Sequence, residues 1–424
     1  MTWGLIAPPN PPTSLKLDLF LRCIFQSLHR WSNRFFLLGG RPVPDFDVDA
    51  TIIGGGVIGL AILHKLSRNK LNSVLLERHH AFGQETSSRN SEVAHGGMYY
   101  TPNSLKATLS VTGRRQLYQF AHDHNIPHRQ TGKLIVATHE NEVPGLKAIL
   151  ETGKQNDVEN LRLISGKEAA AIAPGIHAVA AIYSPATGVI NAHALMDALL
   201  RQAETDGGTA VRGSPVLDLE PIPNGWTVHY RDAEGNGSIT CHAVVNAAGL
   251  GAQHVMAMAG IDPIAADLRL HPCKGNYCSV AGESRKRIAH LVYPAPEANL
   301  AGLGIHTVID ISGGVKIGPD VHYVDEADEY DYSVDEALPE MFFRSVSRYL
   351  PCIRPEDITP DMAGIRPKLS APGQPARDFH IAHEADRGFP GFINLAGMES
   401  PGLTACLAVG DMVADMVKEI TGQV

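Results

Sequence analysis

The chain has 424 residues, 44% hydrophobic and 19% charged, with a formal net charge of −9 at pH 7. That length points to two domains rather than one core, the acidic balance excludes a general nucleic-acid binder, and no run of about 18 apolar residues is present to cross a membrane. Six cysteines are scattered without a C-x-x-C pair, which excludes a zinc ribbon or a thioredoxin-like site and leaves reduced, buried thiols as the expectation.

In chain order, residues 1–45 read as an N-terminal extension. Residues 1–14 are proline-rich, and 15–38 are amphipathic, with Lys16, Arg22, Arg30 and Arg34 against one acid, Asp18. An arginine-rich, acid-poor amphipathic stretch before the first strand is the pattern of a mitochondrial presequence. A membrane-surface helix, which implies peripheral membrane association, and a plain N-terminal arm are the alternatives.

A strand over 48–53 and a helix over 57–68 follow. Gly54, Gly56 and Gly59 fall at the spacing G-x-G-x-x-G between them. Gly54 lets the strand turn, Gly56 lets backbone approach a pyrophosphate, and Gly59 lets helix pack on strand. The helix then aims its positive end at the phosphates. The second strand, Ser73 to Glu77, ends in an acid 23 residues after Gly54, where a carboxylate can hold a ribose hydroxyl.

Helices are expected over 104–124 and 143–156, with a strand over 132–138 between them. Ser165 and Glu168 form a capping-box pattern. Residues 182–191 read as a strand that turns at Pro185–Gly188, and 194–206 as a helix. A meander follows over 211–220, 226–231 and 238–241, with turn residues between its strands. It leads into an apolar strand from Ala243, closed by Ala247-Ala248-Gly249. Strands are expected over 268–280, 291–294, 303–310 and 315–318, a solvated acidic loop over 325–336, and a helix over 338–350. The chain closes with strand 392–397, a Gly397 turn and helix 403–421.

A nucleotide fold built from both ends of the chain, with a strand-rich block inserted, is a flavin-enzyme plan and favours FAD over NAD. The expected class is α/β (α+β overall): a Rossmann-type FAD-binding domain from 46–131, 194–263 and 355–424, with an inserted mixed or antiparallel-sheet substrate domain from 132–193 and 264–354.

Several segments carry a resemblance: VDATIIGGGVIGLAI, SSRNSEVAHGGMYYTPNSLKA at 87–107, GKLIVAT at 132–138, SPATGVIN at 184–191, VVNAAGLGA at 244–252 and HPCKGNY at 271–277. VYPAP at 292–296, GLGIHTVID at 302–310, AGIRPKL at 363–369 and NLAGMESPGLTACLAVG at 394–410 continue it. Across residues 46–420 the chain resembles the D-amino-acid-oxidase-type FAD oxidoreductases. Within them it is most similar to the members that oxidise L-2-hydroxyglutarate or a related 2-hydroxy acid to the 2-oxo acid. The segments His95–Tyr100 and Met398–Pro401 are variants of the family forms.

The resemblance implies hydride transfer to flavin N5, with an electron acceptor of the quinone, carrier-flavoprotein or oxygen class. Such chemistry needs a base for the hydroxyl proton and a cation for the carboxylate. His95, which the resemblance places against the flavin ring, is the first candidate base; a structural histidine or a flavin contact is the alternative. His306 is the second candidate. Arg366 is the candidate carboxylate clamp, because a guanidinium matches a carboxylate through two parallel hydrogen bonds; an ion pair at a domain boundary is the alternative. Lys274 reads as a holder of a second carboxylate, a cation at the flavin N1–C2 edge, or a surface lysine. Tyr277 and Tyr293 read as pocket hydrogen bonders or as core.

For the cofactor, the resemblance assigns the polar run Ser87, Ser88, Arg89 and Asn90 to the pyrophosphate and flavin, and Arg78 to the adenosine. Ala248 and Gly249 pack against the nucleotide, and Gly397, Ser400, Gly402, Leu403 and Thr404 bring a helix start to the flavin pyrimidine. The role of Glu399 stays open. The acid runs Asp325-Glu326 and Asp328-Glu329 read as a solvated face, and no metal site is expected. Two other readings stand: a glycine- or D-amino-acid-type oxidase, and a flavoprotein assembly factor without turnover.

Overall fold

A computed structural model describes residues 46–296, 304–325 and 330–423. The amphipathic stretch 15–38 and the acids Glu326, Asp328 and Glu329 lie outside the described residues.

The strand Val48–Ile53 is buried from Ala50 to Ile53, where it is covered on both faces. It pairs in parallel with Ser73–Glu77 on one side (Ile52 opposite Leu75) and with Gly235–Asn246 on the other (Ile52 opposite Val245). Thr209–Arg212 adds a further parallel strand beyond Ser73–Glu77. One face is closed by helices Val57–Arg68, Leu105–Asp123, Ala192–Thr205 and Gly402–Thr421, whose Leu60, Leu63, Leu117, Leu195, Leu199, Val409 and Val413 share one buried cluster. The other face meets Trp226, Val255 and Met256.

The strand Gly235–Asn246 differs from expectation. Residues expected as a short meander strand and a separate apolar strand form one 12-residue strand. Its first half is antiparallel to Gly225–Asp232, and its last three residues run parallel to Phe392–Ala396. The hydrogen-bond ladder carries through Asn236 and Gly237, which look like turn formers in isolation; pairing overrides local propensity. The closing strand thereby docks in the same sheet as the opening one, although they are more than 300 residues apart.

Three further sheets stand beyond this one. In the second, His271–Val280 pairs antiparallel with Ile358–Lys368 (Cys273 opposite Arg366), with Val315–Gly318 and with His322–Tyr323. In the third, Lys133–Ala137 lies between Leu291–Pro294 and Ala180–Ser184. The expected turn at Pro185–Gly188 is present, but its two arms, Ala180–Ser184 and Gly188–Ile190, belong to different sheets. Strand alternation sends Leu134 and Val136 into the core between the second and third sheets. Ile135 and Ala137 face the opposite cluster, with Met98, Val111 and Tyr293. Helix 338–350 is shorter than expected and ends at Val346.

Candidate active site

The glycine turn is built as the spacing predicts. A Cβ on Gly59 would overlap the Gly54 carbonyl oxygen, and one on Gly54, where φ is +109°, would lie 2.6 Å from the Ala247 oxygen. Bare backbone at these two positions is what lets helix Val57–Arg68 and the Ala247–Gly249 turn close on the strand end. Gly56 faces the polar run: a Cβ there would meet Ser87 Oγ at 2.8 Å, and the same hydroxyl accepts from the Val57 N–H at 2.9 Å. No acid occupies the first turn of this helix, so its positive end is not neutralised from within.

Glu77 is 7% exposed and accepts from the Gly55 N–H (2.6 Å) and the His79 N–H (2.8 Å). A carboxylate has about four lone-pair positions, so acceptor capacity remains for a hydroxyl. Arg78 donates to Glu85 and to the Tyr330 hydroxyl, and Arg89 stacks on the Tyr332 ring at 4.1 Å. The loop expected to be merely solvated therefore reaches back over two arginines through its tyrosines Tyr330 and Tyr332. Ser88 and Asn90 bond to carbonyls of residues 85–87 and hold the polar run in shape.

A cavity of about 830 Å³ runs from this cradle to a second, basic end. Gly54, Gly56, Glu77, Arg78, Ser87, Asn90, Ala248 and Gly249 line the first part. His95, Tyr99, Tyr293, His306, Arg366, Lys106, Lys368 and Glu399 line the second, with Ser400, Gly402 and Leu403 between. The size suits a large ligand with a small one beside it. Bare-backbone contacts at one end and room beyond them fit a dinucleotide cofactor.

At the basic end, His95 is held at its backbone by Thr404, whose Oγ1 accepts from the His95 N–H at 3.0 Å and donates to the Val93 carbonyl. Its Nε2 faces Ser400 Oγ at 3.3 Å, while its Nδ1 is buried with no partner among the described residues. Burial first, and then the nearby Lys133, pushes the His95 pKa well below the ordinary histidine value. His306 stacks on Tyr293 (3.6 Å between centroids, 10° between planes) and is pushed down to about 3 by burial. Both imidazoles are thus neutral and able to accept a proton. The hydroxyls of Tyr99 and Tyr293 are also buried without partners.

Arg366 is clamped, with Nε to the Cys273 carbonyl (3.2 Å) and Nη2 to the carbonyls of Lys274 (3.0 Å) and Asp320 (2.7 Å). These bonds fix the plane of the guanidinium where it meets the cavity. Glu399, left without a role by sequence, is buried between Lys106 (2.9 Å) and Lys368 (3.1 Å). Burial alone would raise its pKa; Lys106 first and Lys368 second hold it below the usual carboxylate value.

Not every candidate reaches the cavity. Lys274 is buried with its amine on Asp331 at 2.9 Å and is not part of the wall. Gly59, Ser88, Gly397 and Thr404 lie behind it; Gly397 turns at φ +72° against Leu369. Lys106, Lys133, Lys368 and Tyr99 were not singled out from sequence. A signal existed for two of them: Lys368 is two residues after Arg366 and so shares its strand face, and Lys133 opens an otherwise apolar buried strand.

Residues 49–416 match the family model described as FAD dependent oxidoreductase. The L-2-hydroxyglutarate dehydrogenase, mitochondrial, of Arabidopsis thaliana is 35% identical over 412 residues, covering 89% of this chain and 85% of that protein. The L-2-hydroxyglutarate dehydrogenase of Indibacter alkaliphilus is 28% identical, covering 87% and 98%. Among solved structures, the FAD-bound L-alpha-glycerophosphate oxidase of Mycoplasma pneumoniae superposes with a TM-score of 0.76 at 24% identity, covering 88% of this chain and 94% of that one, which shows the shared fold.

Proposed function

The chain belongs to the FAD dependent oxidoreductase family, and from that premise we propose that it oxidises L-2-hydroxyglutarate, or a closely related 2-hydroxy acid, to the 2-oxo acid. The observation that carries this reading is the basic end of the cavity, where Arg366 and two neutral histidines adjoin buried polar atoms that lack partners. Orphaned polar groups in a dry wall are costly unless a ligand satisfies them. The names of the relatives from Arabidopsis thaliana and Indibacter alkaliphilus point to the same substrate.

Bound FAD supplies the hydride acceptor. The chain's own residues do the rest. The cavity-facing edge of Arg366 grips the carboxylate beside the reacting carbon. His95 lines the cavity with Nε2 beside Ser400, and that nitrogen takes the hydroxyl proton. Its depressed pKa keeps that nitrogen unprotonated before substrate arrives, and the entering carboxylate offsets the cost of the imidazolium that forms. His306 and Tyr293 form the stacked wall that fixes the substrate's orientation.

The nucleotide sheet and its helices form the FAD-binding part, and segments 132–193 and 264–354 form the substrate side, with Arg366 reaching it from Ile358–Lys368. Electrons leave to a separate acceptor of the quinone, carrier-flavoprotein or oxygen class. The arginine-rich stretch 15–38 and the mitochondrial names of the relatives support import into mitochondria. Among the described residues no helix is long and apolar enough to cross a membrane.

The test is anaerobic mixing of the purified yellow protein with L- and D-2-hydroxyglutarate, other 2-hydroxy acids, glycine and D-amino acids. The expected result is rapid bleaching of the flavin band by L-2-hydroxyglutarate. Bleaching by an amino acid and not by any hydroxy acid would replace this reading with amine oxidation, and no bleaching by any acid would leave a flavoprotein without turnover.

A further inference from the structure

The basic end of the cavity holds more cations than one carboxylate needs. Besides Arg366, Lys106 and Lys368 line it, and their side chains keep 9% and 11% of their surface. Glu399 joins the two lysines, with Oε1 on Lys106 Nζ at 2.9 Å and Oε2 on Lys368 Nζ at 3.1 Å. The charge of Arg366 reaches the same carboxylate, so three cations gather around one anion and two positive charges stay uncompensated within the cluster. Asp320 and Asp378 lie close by but are engaged elsewhere. Asp378 accepts from the backbone N–H groups of Leu105 and Lys106, and Asp320 accepts from Asn276. Neither lines the cavity.

An ammonium has three donors. Each lysine gives one to Glu399, and Lys106 also lies over the Phe379 ring, 5.3 Å from its centroid. A carboxylate opposite Glu399 would take one further donor from each amine and complete an alternating set of two anions and two cations. The spacing suits a short diacid. Lys368 follows Arg366 by two residues on the strand Ile358–Lys368, so the two leave the same face about 7 Å apart. A linear chain of five carbons sets its terminal carboxyl carbons about 5 Å apart, and the flexible lysine stem covers the difference.

We infer that Lys106 and Lys368, held on the two oxygens of Glu399, bind the second carboxylate of a dicarboxylic substrate whose first carboxylate lies on Arg366. The inference rests on the substrate reading above and assigns its specificity. A monocarboxylate of the same length fills the same volume but leaves one charge of the cluster uncompensated, and discrimination is the difference between the two. Glu399 acts as a positioning residue: it holds the amines side by side at the cavity wall and competes with the ligand for them.

The test uses FAD-loaded protein and perturbation of the flavin spectrum by two non-reacting ligands, 2-oxoglutarate and 2-oxopentanoate. The native protein is expected to bind the dicarboxylate on the order of tenfold to hundredfold more tightly. Lys368→Met leaves Glu399 paired with Lys106 and strands no charge. It should lower the ligand ratio about tenfold while its 2-oxopentanoate affinity stays within about twofold, and Lys368→Arg should keep most of the ratio. Glu399→Gln removes the competing carboxylate and should raise the ratio several-fold, although it weakens the fold. A cluster that only braces the fold would change stability in these variants and the ratio in none. Should Lys368→Met lose flavin, Lys106→Met and Glu399→Gln carry the test in opposite directions. A native ratio near one, or a ratio the variants leave unchanged, would overturn the inference. If L-2-hydroxyglutarate bleaches the native flavin while the ratio is unchanged, only this inference fails. If it does not bleach the flavin yet the ratio depends on Lys368, the substrate reading fails and the dicarboxylate subsite stands.

Discussion

Replacing Glu399 by Gln keeps shape and removes charge from a site where charge is heavily engaged. The side chains of Lys106, Glu399 and Lys368 are 9%, 8% and 11% exposed, so solvent screens little of the interaction. The substitution leaves two ammonium groups buried around one neutral amide. Removing one partner of a buried ion pair costs about 3–5 kcal/mol, mostly the penalty of the stranded charge. An unfolding entropy of ~2.1 cal/mol/K per residue over about 380 residues gives ~0.8 kcal/mol/K, so the melting temperature should fall by about 4–6 °C, read by far-UV circular dichroism at pH 7. Lys106→Met added to Glu399→Gln should recover part of the loss, because it removes one of the two stranded charges. Because the folded pKa of Glu399 lies below its unfolded value, its stabilisation is present above about pH 4.3 and is lost as pH falls through the folded pKa. The variant should lack that acid-limb component. A shift below about 1 °C, or no recovery in the Lys106→Met double variant, would refute the claim that this triad is paired in a dry environment.

Gly59→Ala should yield a protein with little or no flavin, since the new methyl overlaps the Gly54 carbonyl oxygen; the ratio of flavin to protein absorbance checks this. Arg366→Lys keeps the charge but cannot donate in fork geometry or bind three carbonyls at once. Its kcat/KM for the hydroxy acid should fall by ~2–4 kcal/mol of transition-state stabilisation, at least about 30-fold, with flavin content retained. The pKa of His64 is lowered to about 4 by burial and then by Lys65 and Arg68, and that of His306 to about 3. Each stays neutral when folded and takes a proton when unfolded, so stability should be full above about pH 6.5 and fall by ~1.4 kcal/mol per pH unit per histidine below it. Urea titrations of native protein and His64→Gln at pH 7 and 5 should show a shallower loss in the variant.

The cradle was legible in the amino-acid order because its determinants are local. Three glycines at fixed spacing, an apolar strand on either side and an acid at the end of the second specify a strand–turn–helix–strand unit whose backbone can do little else. The capping box at Ser165 and Glu168 is local in the same sense, and it forms as written. The basic end of the cavity is different in kind. His95 meets Ser400 and Thr404 across some 300 residues. Tyr293 and Lys133 come together only because their strands pair in parallel, and Arg366 is fixed by carbonyls on the neighbouring strand and beyond it. Such pairings follow from which sheet each strand joins, and strand pattern alone does not say. Nor does composition reveal that a lysine will be dry: burial depends on what covers it, and burial is what makes Lys133, Glu399 and the two histidines chemically unlike their exposed counterparts. Order along the chain determined the glycine cradle; the meeting of distant strands decided which charges line the basic end of the cavity, because low-dielectric surroundings exist only once those strands have closed.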